Sequence, residues 1–183
     1  LPDGRYANSP CADLHLDARK EGYVGGLLEN LSAREYSMWS LLTEALRTGK
    51  PQTGFETLKH FGPLYSDPRR LAFFVNAMTG ASLAPGKAIA AKFPWNRYET
   101  FADVGTAQGC VPAQIALAHS HLTGIGFDLP ILATTFERYV EAHRLSERVR
   151  FLPGDFFIDP LPVADVLIMG RVLHNWDLAT KRM

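Results

Sequence analysis

FADVGTAQGC, residues 101–110, decides the fold. A short apolar run, Phe101 to Val104, ends in a turn of small residues, Gly105 to Gly109, and the helix-like segment CVPAQIALAHSH follows. Strand, thin turn and helix in that order open a nucleotide-type pocket, because the turn's N–H groups and the helix N-terminus face the ligand. Two details resist the usual dinucleotide version. Gly105 and Gly109 do not fit G-x-G-x-x-G, and an acid, Asp103, stands just before them.

Working outward, three more strand-like runs follow: LTGIGFD, VRFLPGD and ADVLIMG. Amphipathic segments separate the first three of the four, the second being PILATTFERYVEAHRLSE. Parallel strands must be joined by crossovers of about this length. The alternation predicts a parallel, doubly wound α/β sheet over residues 96–183.

Residues 1–95 read as a mainly helical domain. In LSAREYSMWSLLTEALRTG, Ser32 and Glu35 stand at capping-box spacing, and Tyr36, Trp39, Leu42 and Leu46 repeat on one helical face. Gly49 is placed to end that helix. A second helix is predicted from SDPRRLAFFVNAM, with Ser66 or Asp67 as cap and Pro68 in the first turn. A third segment, APGKAIAAKF, leads to PWNRYE, which reads as a hinge between the two domains.

In an open parallel sheet, the residues just after each strand collect on one edge, where ligands bind. Here those positions are Asp103, Asp128, Asp155 and His174. Plainer readings exist for each. Asp103 could cap the next helix, Asp128 and Asp155 could be loop and turn acids, and His174 could be a core histidine beside Trp176. Four ionisable groups at one rim are costly without a ligand, and that favours the functional reading.

The acid in the turn then selects the cofactor. A carboxylate beside a diphosphate costs roughly 1 kcal/mol or more at contact distance even in water. S-adenosyl-L-methionine has no phosphate and carries a sulfonium and an ammonium, so a carboxylate is favourable there. Gly105, Ala107 and Gly109 keep the turn thin enough for close backbone approach. Asp128 is expected to accept from the ribose hydroxyls, Asp155 from the adenine amino group, with Phe156 or Phe157 over the ring.

Composition narrows the class. The 183 residues are 46% hydrophobic and 21% charged, which is globular, and nineteen basic residues balance nineteen acidic ones. A neutral chain has no electrostatic footprint for nucleic acid. No apolar run spans a bilayer and no signal-peptide pattern opens the chain. Cys11 and Cys110 form no framework, and the expectation is a reduced, cytoplasmic setting. The histidines His15, His60, His119, His121 and His143 are scattered, with His119 and His121 on different faces of a helix, so no metal is expected. Both ends read as cut, at LPDGRYANSP and LATKRM, which would leave ADVLIMG as an apolar sheet edge.

With NSPCADLHLD, YVGGLLE, GFDLP, GDFFIDPLP and RVLHNWD in this order, the chain resembles S-adenosylmethionine-dependent O-methyltransferases of the caffeate and acetylserotonin type over almost its whole length. The resemblance implies a winged-helix-like dimerisation domain, a homodimer, and a class I methyltransferase sheet. It implies a small hydroxylated, aromatic substrate. By position, Gly105, Asp128, Asp155 and Phe156 match cofactor contacts, as does Arg171, while His174 matches the general base. An imidazole titrates near neutrality and can take a phenol's proton, help typically worth 10²–10⁴-fold. This sequence departs from the family in GTAQG, where a run of glycines is usual, and in Asn175, where many members carry aspartate. Two rival classes stay open: a nicotinamide-dependent oxidoreductase, and a non-enzymatic cofactor-binding or dimerisation module.

Overall fold

The computed structural model describes residues 4–20, 22–50, 52 and 67–182. Its contacts divide the chain into two compact units, Leu1–Ala81 and Ser82–Met183. His60 and Ser66 lie outside the described residues.

The described residues of the first unit are mainly helical. Helix α1 (Pro10–His15) starts where the Ser9 hydroxyl accepts from Ala12 N–H at 3.2 Å. Helix α2 (Gly25–Asn30) runs without a break into one wide turn, Leu31–Glu35. Ser32 therefore sits inside a helix that begins seven residues earlier, and the expected capping box there is corrected: a cap needs a residue outside the helix. A 3₁₀ turn, Met38–Leu41, leads to α3 (Leu42–Thr48), which ends as expected at Gly49 in the left-handed region, φ 66°. The apolar face is not buried within the unit. Tyr36 is 80% exposed, Trp39 64% and Leu46 76%.

Helix α4 (Pro68–Lys92) joins two segments that the sequence separated. Asp67 is its cap, accepting from Arg69 N–H at 2.9 Å. Pro85 lies inside it, at a site where proline costs about 3 kcal/mol in an isolated helix. Packing overrides that propensity: Ala90 is buried, and Ile89 packs on the core of the second unit. The turn after α4 is no free hinge. Trp95 is buried, donates from Nε1 to Ile89 O at 3.1 Å, and meets Phe101 edge-on at 5.7 Å.

The second unit holds the predicted sheet. Strands β1 (Thr100–Val104), β2 (Thr123–Asp128), β3 (Val149–Pro153) and β4 (Val166–Ile168) are all parallel, in the order β3-β2-β1-β4. Helices α5 (Cys110–Ala118) and α6 (Ala133–Ala142) make the first two crossovers. Strands β2 and β3 are added on one side of β1 and β4 on the other, and that reversal of strand order places the switch point between β1 and β4. Phe101, Ile115, Leu122, Phe136 and Val140 form the centre of the core. His119 and His121 lie past the end of α5, not on two faces of it, and their rings meet at 5.9 Å. Each gives a ring nitrogen to a backbone carbonyl, Ala90 O and Trp95 O. No helix among the described residues is long and apolar enough to cross a membrane.

Candidate functional site

The turn after β1 is built from alternating left-handed residues: Gly105 (φ 75°), Ala107 (φ 51°) and Gly109 (φ 91°). Glycine is required at both ends for space as well as φ. A methyl at Gly105 would come 2.5 Å from Val172 Cγ2, and one at Gly109 2.7 Å from the Phe136 ring. Ala107 takes the left-handed region without glycine's freedom, and strain of that kind clusters at ligand sites. Its N–H is fixed by a hydrogen bond of 2.8 Å to Asp128 Oδ2.

Hydrogen bonds and ring contacts link the four strand ends into a closed circuit. Gly105 N–H donates to Phe127 O at 2.8 Å, and Gly154 N–H to Asp128 O at 2.9 Å. The loop after β3 meets the loop after β4 through Phe157 and Trp176, edge-on with centroids 4.8 Å apart. Val172 returns to Gly105 and closes the ring. The structure thus brings Asp103, Gly105, Gly109, Asp128, Asp155 and Phe156 to one edge of the sheet, together with the turn carrying Arg171 and His174.

Burial pushes Asp103 up to about 7, with the Asp128 charge acting in the same direction and the Thr106 hydroxyl opposing. Thr106 Oγ1 is itself buried and makes no well-formed hydrogen bond among the described residues, so its hold on Asp103 is a weak one. Asp103 does not cap α5, whose N-cap is Gly109. Asp128 is also raised by burial, against N–H donors from Ala107 and Leu129 that favour its ionised form. Asp155 does act as a turn residue, its Oδ1 accepting from Phe157 N–H at 2.9 Å. That bond draws in the aromatic pair, Phe156 and Phe157, at 4.6 Å.

His174 is exposed, on a 3₁₀ turn over Leu173–Asn175, so it is not a core histidine. Arg171 is exposed too, at φ 58°. Sequence reasoning missed Val172, Thr106 and Phe136. Val172 had a readable signal, an apolar residue between a cation and an imidazole. Phe136 had none, since its role depends on glycines 10 and 27 residues away. Among the described residues no group of three or more His, Cys, Asp or Glu is placed to hold a metal ion.

Known proteins resemble the chain in sequence and in fold. The chain is 42% identical over 177 residues to the tetracenomycin polyketide synthesis 8-O-methyl transferase TcmO of Streptomyces glaucescens, covering 94% of this chain and 50% of the relative. It is 36% identical over 180 residues to the N,N-dimethyltransferase OxyT of Streptomyces rimosus, covering 97% and 52%. The chain thus spans about half the length of these relatives. Among solved structures, the O-methyltransferase NcsB1 from neocarzinostatin biosynthesis, in complex with S-adenosylmethionine and 2-hydroxy-5-methyl naphthoic acid, superposes with a TM-score of 0.78 at 28% identity, over 97% of this chain and 56% of that one. The sheet order and helices are those of a Rossmann-like methyltransferase. Since residues 39–182 match the O-methyltransferase domain, the chain belongs to that family.

Proposed function

We propose that the protein is an S-adenosylmethionine-dependent O-methyltransferase acting on a hydroxyl of a small aromatic molecule, and that this chain carries its cofactor site. One observation carries the reading: two carboxyls raised by burial, Asp103 and Asp128, flank a left-handed glycine turn. Acids that are costly to ionise in the free protein are stabilised by a cation and further opposed by a diphosphate. The donor set fits a sulfonium cofactor and disfavours a dinucleotide.

S-adenosylmethionine supplies a methyl group already activated by positive sulfur. The protein's part is to hold, align and remove one proton. Asp103 and the Gly105–Gly109 turn take the amino-acid end, Asp128 accepts from the ribose hydroxyls, and Asp155 with Phe156 takes the adenine. Arg171 contributes from the β4 loop. A ring nitrogen of His174 accepts the proton of the substrate hydroxyl, and alignment alone supplies several kcal/mol of the barrier. The naphthoic acid bound to NcsB1 supports the aromatic acceptor. The 36% identity to an N,N-dimethyltransferase favours a second reading, an amine acceptor in the same place.

We extend the reading to the assembly. The exposed stripe of Tyr36, Trp39 and Leu46 supports a homodimer formed through a winged-helix-like helical domain. The test is to incubate the full-length protein with methyl-labelled cofactor and matched panels of phenols and aromatic amines. Label on phenols establishes the O-methyl reading and label on amines the second. Thermal stabilisation by NAD but not by S-adenosylhomocysteine, with no label transferred, overturns both.

A further inference from the structure

His174 has no hydrogen bond among the described residues to place its ring, so its position is set by the turn that carries it. That turn is closed by Asn175 N–H to Val172 O at 3.1 Å and Trp176 N–H to Leu173 O at 3.3 Å. Its C-terminal end rests on the aromatic pair through Trp176, 4.8 Å from Phe157 and 6.4 Å from Phe156. Its N-terminal end rests on Val172, which is 8% exposed while Arg171 before it and Leu173 and His174 after it are exposed. The Val172 Cγ2 methyl occupies the space that a side chain at Gly105 would need. Gly105, bare and left-handed, is the socket, and Val172 is the key.

We propose that Val172 is a positioning residue for His174: by seating its Cγ2 methyl on Gly105, it ties the turn that carries the base directly to the turn that takes the cofactor. The inference rests on the reading of His174 as base. Its physical content is that Val172 acts through His174 and not through general stability. A displacement of the order of 1 Å is enough to cost a large factor in rate when two partners must align.

The experiment is a double-mutant cycle in the full-length protein, with labelled cofactor and an acceptor that the wild type turns over. Val172→Ala is expected to lower kcat about tenfold while the KM for cofactor stays within about twofold. Val172→Thr keeps the branched shape, its hydroxyl filling the space of the methyl that meets Gly105, and is expected to recover part of the loss. In a His174→Gln background, Val172→Ala should cost less than about twofold more, because residues acting as a unit are not additive. Val172→Ser, which also lacks the methyl, repeats the test if Val172→Ala does not hold its fold. Equal losses in both backgrounds, or losses that follow the thermal midpoint alone, overturn the proposal and leave the base reading standing. Full turnover by His174→Gln removes the base reading, and the positioning role with it.

Discussion

A carboxyl that titrates near pH 4 in an unfolded chain is carried into the interior by β1 at Asp103, where burial pushes it up to about 7. The folded state therefore holds that proton more tightly than the unfolded state between about pH 4 and pH 7. Across that window the protein loses stability as pH rises, and the loss is complete above pH 7. Asp103→Asn removes the term. Thermal melts from pH 4 to 8 should show the variant gaining on wild type as pH rises to about 7, with a constant difference beyond. The same logic extends to binding. A cationic cofactor lowers the Asp103 pKa again, so binding near pH 7 should release a proton in wild type and none from this site in Asp103→Asn. Calorimetry in two buffers of different ionisation enthalpy reads this directly, and equal release by both proteins would remove Asp103 from the site. The acid's placement was legible in FADVG, because a strand followed by a small-residue turn fixes which edge it reaches. Its raised pKa was not, since burial depends on β2 and β4 flanking β1 and on α5 packing against it.

At the scale of elements, the parallel sheet was readable because each strand is short, apolar and bounded by turn residues, whereas strand order and register came only from the structure. The helical half was harder. The capping spacing of Ser32 and Glu35 is a local signal, and the helix that begins at Gly25 swamps it. APGKAIAAKF read as a segment of its own, yet packing of Ala90 and Ile89 keeps α4 continuous through Pro85. Least legible was the packing under the site. Phe136 of α6 presses its ring against the bare α-carbons of both Gly109 and Gly126, so one aromatic side chain supports the Gly105–Gly109 turn and the middle of β2 together. A methyl at Gly126 would meet that ring and, at 2.9 Å, Thr106 Cγ2. Overpacking of this kind costs roughly 1–3 kcal/mol. Gly126→Ala should lower the denaturation midpoint accordingly, and adding Phe136→Leu should recover part of the loss instead of adding its own. Additive losses in the double variant would show that the contact is loose.

On the scale of the whole molecule, the question is what covers the exposed apolar stripe of the helical unit. Isolated surface hydrophobics are ordinary, but a spaced row of large ones marks an interaction face. Tyr36, Trp39 and Leu46 repeat at helical spacing in the sequence and are 64% to 80% exposed, with Leu42 at 43%, although a 3₁₀ turn separates Tyr36 from α3. Two copies of such a stripe can cover each other about a two-fold axis, since the same patch then serves both partners. Aromatic residues at the centre of such a face carry a disproportionate share of the binding energy. Trp39→Glu should therefore shift the full-length protein from dimer to monomer in sedimentation velocity, while far-ultraviolet circular dichroism stays unchanged because the side chain supports little inside its own unit. The cofactor site and the base proposed at His174 belong to the other unit, so cofactor-induced thermal stabilisation should persist in the monomer. A dimer that survives Trp39→Glu with unchanged association would assign the stripe to a different occupant.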